Sequence, residues 1–352
     1  MSNPLTALEA RSVDASKERV TRVGIIGFGK MGRIRYETIS AHEKGQVVAV
    51  ADPKPSVALG GSVRGYTSAQ ELLADKEVEA VFICTPNYLN KSLTLEALRA
   101  GKHVFCEKPP AFCAQDVEEI MAVERACGRK LMYGFNHRHH GSVKRAKELI
   151  DSGIYGRILW MRGRYGKSVD ESFYSDWRSQ RAFAGGGILM DQGIHMLDLF
   201  LMMAGDFEEV MAVISNLYWK LDVEDNVFAI YRNKRGVVAS LHSTMTQWRH
   251  LFSFEIFLET GYIVINGLLT ASGTYGEEVM TIAKNRTTAP AATWSDEEQI
   301  RFDVNTSWQS EVDHFFRAVA TGGPIGIGNS EEALKLMRLI DRTYAANGGS
   351  RK

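Results

Sequence analysis

Short apolar runs alternating with amphipathic ones organise the first third of the chain. Strand-like runs fall at 22–26, 47–51, 80–84, 103–107 and 130–135, and helical patterns at 32–42, 68–74, 90–100 and 114–127. Short apolar strands separated by helices predict βαβ units and a parallel sheet. Such sheets bind ligands beyond the carboxyl ends of their strands.

After residue 136 the pattern changes. It predicts a helix at 143–151, a strand at 157–166, a polar and aromatic loop over 167–184, and a long helix over 185–204. Strand-like runs then follow at 210–219, 226–232, 236–245, 252–259 and 262–267, with no helical pattern between them. Asn-Lys-Arg-Gly and Thr-Gly mark hairpin-type turns, so this part predicts a mostly antiparallel sheet. A loop over 284–306 and two helices, at 308–321 and 330–346, close the chain. The fold class is therefore α/β. An N-terminal domain of βαβ units over 21–136 follows a poorly ordered lead-in at 1–20. A C-terminal α+β domain over 137–352 carries a large, mostly antiparallel sheet, with its last helices free to pack back on the first domain.

Composition narrows the class. At 352 residues the chain can bury two cores, and its 42 basic and 42 acidic residues cancel. That balance gives no footprint for nucleic acid or an anionic membrane surface. The cysteines, Cys84, Cys106, Cys113 and Cys127, show no CxxC spacing and read as buried free thiols. The first 20 residues lack a signal-peptide apolar core and no apolar run spans a bilayer, so a cytoplasmic protein is expected.

The chemistry begins where the first strand meets the first helix. Residues 27–32 read GFGKMG, a G-x-G-x-x-G turn. Gly27 suits the tight turn, Gly29 admits a pyrophosphate to the backbone, and Gly32 lets helix and strand pack closely. Phe28, Lys30 and Met31 complete the loop, and the phosphates would meet the new helix's free N–H groups. Asp52 ends the second strand 25 positions after Gly27, where an acidic side chain holds a ribose hydroxyl. Thr85-Pro86-Asn87 and Glu107-Lys108-Pro109 stand at two further strand ends. In the run 185–204, Asp191, His195 and Asp198 fall at i, i+4 and i+7 on one face of an otherwise apolar helix. A buried polar stripe needs partners or a wet cavity. It reads either as a structural histidine bonded to Asp191 or as an acid/base histidine oriented by a carboxylate. The run Asn136-His137-Arg138-His139-His140 has spacings that suit no common zinc site, so no metal is expected.

These motifs carry a resemblance. The chain resembles the Gfo/Idh/MocA oxidoreductases from Val23 to Tyr344, through GFGKMG at 27–32, TPN at 85–87, EKP at 107–109 and GGGILMDQGIH at 185–195. The resemblance implies a Rossmann domain followed by a domain whose open sheet makes subunit contacts, hence a homodimer or homotetramer. It implies Lys108, Asp191 and His195 as the catalytic set. It places Gly27, Gly29, Gly32, Asp52, Thr85, Asn87 and Glu107 along the dinucleotide, and Phe28, Lys30, Met31, Pro86, Asn90, Lys108 and Asn136 are expected beside them. Lys108, Arg138, Tyr165, Trp177, Arg178, Asp191 and His195 would face the substrate. The chain departs from the family pattern at Asn90, often His, at Pro110, often Leu or Met, and over 136–140, often of an Arg-Arg-Phe or Arg-Phe type.

The expected reaction is reversible hydride transfer between a carbinol carbon and nicotinamide. His195 would take the hydroxyl proton, Asp191 would stabilise the imidazolium, and Lys108 would bond the same oxygen or itself act as base. Asp52 favours NAD by repelling a 2′-phosphate, while Lys54 leaves NADP open. The substrate should be a sugar or polyol. Arg164, Tyr165, Lys167, Tyr174, Asp176, Trp177, Arg178 and Arg181 lean towards a sugar acid or nucleotide-linked sugar. Two rivals stand beside this reading: a glycoside-cleaving enzyme that oxidises transiently, and a non-catalytic nucleotide sensor.

Overall fold

The computed structural model describes residues 20–54, 62–284 and 293–347, so all but Val20 of the expected lead-in lies outside the described residues. The first part of the chain runs β1 (Thr21–Ile26), α1 (Lys30–Ser40), β2 (Gly45–Ala51), β3 (Arg64–Tyr66), α2 (Ala69–Ala74), β4 (Ala80–Ile83), α3 (Asn90–Arg99), β5 (His103–Glu107), α4 (Ala114–Cys127) and β6 (Leu131–Gly134). The strands form one parallel sheet in the order β3-β2-β1-β4-β5-β6. The order reverses between β1 and β4, and the crevice beyond their carboxyl ends is the switch point where such sheets bind ligands. Every residue of β4 (AVFI) is buried, as a strand covered on both faces requires. Local signals set the helix ends. Ser68 and Glu71 cap α2 reciprocally, and α4 stops at Gly128, whose φ of 61° is left-handed.

A 3-10 turn at Asn136–His139 leads into α5 (Gly141–Asp151), β7 (Ile158–Ser168), α6 (Arg181–Ala184) and α7 (Ile194–Ala204). Then come β8 (Glu209–Ser215), β9 (Asn226–Arg232), β10 (Val238–Thr244), β11 (Thr246–Leu258), β12 (Gly261–Asn266), β13 (Glu278–Lys284), β14 (Glu298–Phe302), α8 (Ser307–Thr321) and α9 (Ser330–Ala346). The second sheet has the order β14-β13-β12-β11-β7-β10-β9-β8. Its neighbours are antiparallel except β7 and β10. β7 is central, and α7 lies on it at Gly163, where an added Cβ would sit 2.3 Å from Met196 Cγ. The other face is open: Phe228 and Ile230 point outward from β9 while Val227, Ala229 and Tyr231 are buried.

The last two helices tie the halves together. Phe315 and Phe316 of α8 meet Phe82 of β4 edge-on, at 5.4 and 6.3 Å between ring centroids. On α9, Arg338 pairs with Glu118 of α4, and Thr343 shares a 3.1 Å hydrogen bond with Tyr231 of β9.

The structure departs from the pattern in three places. β3, β13 and β14 are additional, and β14 is a short, polar edge strand within the stretch expected as loop. The helix expected over 185–204 is broken: Gly185 has φ +78°, and Gly187 lies so close to Glu224 that a Cβ would fall 2.0 Å from its carbonyl oxygen. A π-helical turn, Leu189–Gly193, then precedes α7 and carries Asp191. Finally, Arg181–Ala204 is long and apolar enough to match a membrane span, contrary to the reading of the sequence. However, 83% of its most apolar window is buried inside the fold, so its apolar surface is spent on the core.

Candidate active site

The glycine turn fits a dinucleotide. Gly27 has φ +88°, and a Cβ there would lie 2.8 Å from the Cys84 carbonyl oxygen. At Gly32 the added atom would lie 2.1 Å from the Gly27 carbonyl oxygen, so helix and strand touch backbone to backbone. At Gly29 it would meet nothing within 4 Å, so this glycine faces open space. Gly29 is also the N-cap of α1, with no capping side chain and no acidic residue in the first turn. Free N–H groups and the positive end of the helix dipole are therefore presented to an anion. Asp52 closes the site: its Oδ2 accepts the Phe28 N–H at 2.7 Å and its Oδ1 the Lys54 N–H at 2.8 Å. A carboxylate held there faces the turn from the end of β2, as a ribose hydroxyl requires.

Three residues expected along the cofactor have other work. Asn90 is fully buried; it accepts from Thr85 Oγ1 at 3.2 Å and donates to the carbonyls of Glu107 and Pro109 at 3.2 and 2.8 Å. It braces the Glu107-Lys108-Pro109 turn. Glu107 is turned inward, accepting from Arg35 Nε at 2.8 Å. Asn136 is buried with its Oδ1 3.1 Å from His137 Nδ1. Asn87, by contrast, donates to the Ala184 carbonyl at 2.9 Å and brings the first domain against the second.

Lys108 leaves the end of β5 and crosses to the second domain. Its Nζ donates to the Asp191 carbonyl at 2.7 Å and to Asp191 Oδ1 at 3.1 Å. The other carboxylate oxygen, Oδ2, accepts from Lys167 Nζ at 2.5 Å. Burial works against charge on Asp191, but Lys167, Lys108 and Arg178 outweigh it and hold the carboxyl well below the usual range. Asp191, Arg178, Asn87, Phe173 and Met245 line one small cavity between the two domains.

His195 is buried on α7, its ring stacked on His137 at 3.8 Å and 20°. Its Nδ1 is buried and has no partner among the described residues. This corrects the expectation that a carboxylate orients the imidazole, since both oxygens of Asp191 go to lysines and the His137 ring holds His195. Asp191 acts on it through charge alone. Burial, then the Lys108 ammonium, push His195 well below its usual range against the pull of Asp191, so the imidazole is neutral.

The expected substrate residues divide. Arg178 lines the cavity, with its guanidinium 4.2 Å over the indole of Trp177 and 3.3 Å from Asp176, whereas Trp177 itself stands behind it and does not line the cavity. Tyr165 is buried, and its hydroxyl lies 2.8 Å from His137 Nε2, so it supports the stacked pair. Arg138 is corrected outright: its Nε and Nη2 donate to Asp198 at 2.7 and 2.5 Å, and its Nη1 pairs with Glu332 at 2.7 Å. It is a buried strut between the 3-10 turn, α7 and α9. The histidine run is likewise split, His140 Nδ1 lying 2.7 Å from Glu278.

Lys167 and His137 are the residues that sequence reasoning undervalued. Strand alternation gave a signal for Lys167, because Gly163, Tyr165 and Lys167 share one face of β7.

Two family models match, the oxidoreductase family NAD-binding Rossmann fold over residues 21–135 and the GFO/IDH/MocA C-terminal domain over 143–264. A 1,5-anhydro-D-fructose reductase from Ensifer adhaerens is 30% identical, over 75% of this chain and 76% of that protein. The chain belongs to the GFO/IDH/MocA oxidoreductase family. It is an oxidoreductase with an NAD-binding Rossmann domain. A levoglucosan dehydrogenase from Pseudarthrobacter phenanthrenivorans is 28% identical over 69% of this chain and 73% of that protein. Among solved structures, an aldose-aldose oxidoreductase from Caulobacter crescentus superimposes with a TM-score of 0.80, 26% identity and coverage of 94% of this chain and 98% of that one. A levoglucosan dehydrogenase in complex with NADH shares the fold at a TM-score of 0.83, covering 94% and 97% of the two chains.

Proposed function

We propose that this member of the family interconverts a carbinol and a carbonyl on a sugar or cyclitol, with NAD preferred over NADP. The observation that carries the reading is the meeting of Lys108, Asp191 and His195 at the crevice that also holds the glycine turn. Bound nicotinamide supplies the hydride acceptor. The carbinol carbon loses a hydride, its hydroxyl loses a proton, and a C=O bond forms. Nδ1 of His195 is sealed, which leaves Nε2 to take the hydroxyl proton. Lys108 donates to the same oxygen and stabilises the developing alkoxide charge. Names among the relatives, a levoglucosan dehydrogenase and a 1,5-anhydro-D-fructose reductase, support a sugar substrate. They favour net oxidation or reduction over transient-oxidation cleavage. Arg178 at the cavity, its guanidinium stacked on Trp177, favours a sugar acid or nucleotide-linked sugar within that class.

The test is NADH formation over a panel of free sugars, inositols, uronates and nucleotide sugars. Turnover should appear on one class and fall roughly 10²- to 10³-fold in His195→Ala. Because His195 is held neutral, kcat/KM for oxidation should rise with pH below about 6.5, the ordinary histidine value. A rise well above neutrality would instead make Lys108 the base. Binding of NAD with no turnover on any class would count against the reading.

The open face of the second sheet is proposed to pair with a second copy. It exposes Met211, Val213, Phe228 and Ile230 around a groove of about 410 Å³ rimmed by Arg162, Arg164 and His242. An apolar patch rimmed by polar groups marks an interaction surface. Light scattering should show a dimer or tetramer, and Phe228→Asp should yield monomer; a monomeric wild type would end the idea. A cytoplasmic setting is proposed on the four free cysteines.

A further inference from the structure

We propose that Lys167 is a positioning residue of the reaction: it claims Oδ2 of Asp191 and thereby leaves Oδ1 to Lys108. Lys108 grips Asp191 twice, through the carbonyl and through Oδ1, so its direction depends on how that carboxylate is turned. Lys167 fixes the turn from the other side, at 2.5 Å. It is well placed for this. It projects near the end of β7, which is paired by β10 on one edge and β11 on the other, and its side chain is 11% exposed. Its Nζ also lies 4.7 Å over the ring of Phe173, which lines the Asp191 cavity. A surface lysine would be free to swing; this one is pinned between a ring and a carboxylate.

Removing Lys167 leaves Oδ2 without its cation in a mostly buried place. The carboxylate can then turn both oxygens to Lys108 and draw the ammonium away from the substrate oxygen. The groups facing Asp191 are Lys108 from the β5 exit, Lys167 and Tyr165 from β7, Arg178 from the turn Trp177–Ser179, Tyr275 between β12 and β13, and His195 on α7. Lys167 stands first among the cations that favour its ionised form.

The experiment uses the full chain with 13Cγ-labelled aspartate, the Asp191 signal being assigned by its loss in Asp191→Asn. In Lys167→Met the Asp191 titration should move up by about one pH unit or more. The acid limb of kcat/KM, which belongs to His195 and feels the charge of Asp191, should shift in the same experiment, and kcat should fall roughly 10- to 100-fold with less change in KM. Lys167→Gln keeps an N–H donor without the charge and should behave like Lys167→Met, whereas Lys167→Arg should restore most of the wild-type behaviour. A residue that merely packs would lower activity without moving either titration. An unchanged Asp191 titration in both Lys167→Met and Lys167→Gln overturns the proposal. Lys167→Gln and Lys167→Arg carry the test if Lys167→Met fails to fold. The kinetic arm rests on the oxidoreductase reading and the titration does not. A shifted titration in a protein that turns over no sugar would remove the substrate reading and keep the clamp. Turnover without the shift would do the reverse.

Discussion

Lys108→Met should leave a folded protein that binds dinucleotide and turns over roughly 10³-fold more slowly. Methionine keeps most of the length of the side chain and loses only the ammonium. Lys108 is partly exposed and lies at the crevice, so no core packing goes with it. Asp191 retains Lys167, so the substitution does not strand a buried carboxylate. The glycine turn and Asp52 belong to other strand ends and should keep their affinity, read by fluorescence titration with NADH. The loss should therefore appear in kcat. Lys108→Arg should recover only part of it, because a planar guanidinium cannot occupy both the Asp191 carbonyl and the substrate oxygen as a compact ammonium can. A Lys108→Met enzyme within tenfold of wild type would remove Lys108 from the chemistry.

The first domain was legible because its signals are local. Alternating runs, the glycine turn and Asp52 fix a parallel sheet and its binding edge within some thirty residues of sequence. The site across the crevice was half legible. Asp191 and His195 could be found, but their spacing on an assumed helix suggested a bond between them. The three glycines at 185–187 and the π-helical turn break that register, and Asp191 turns to two lysines instead. One of those lysines arrives from β7, and no helical period reports a partner on another strand. Arg138 and Glu107 misled for a related reason. Arg138 beside the cleft reads as a substrate ligand and Glu107 as a cofactor ligand, yet Arg138 is taken by Asp198 and Glu332 and Glu107 by Arg35, partners supplied by other elements of the fold. Edge strands such as β14 carry too little apolar alternation to be seen without the sheet they complete.

Arg35→Met should destabilise the fold by about 3–5 kcal/mol, because it leaves charged partners buried without their cation. Arg35 is fully buried on α1. It donates to Glu107 Oε1 at 2.8 Å and to Glu311 Oε2 at 2.6 Å, between the rings of Phe105 and Trp308 at 4.3 and 4.7 Å. Burial pushes the Glu311 carboxyl up to about 7, against the pull of Arg35 and with the repulsion of Glu107. An unfolded glutamate titrates near about 4.3, so between these values the folded protein binds more protons than the unfolded one. Stability from this group is thus present at low pH and lost as pH rises towards 7. Without Arg35 the two carboxylates face each other unshielded, and the same sign holds more strongly. The loss in melting temperature should therefore be larger at about pH 8 than at about pH 5, read by calorimetry. Arg35→Met combined with Glu311→Gln should recover much of it, since the doubled negative charge is gone. Equal losses at both pH values would show that Arg35 stabilises through its ring contacts. Glu107 also sits one residue before Lys108, at the end of β5. A fall in kcat at temperatures well below the melt would show that this buried knot sets the strand end from which Lys108 reaches Asp191.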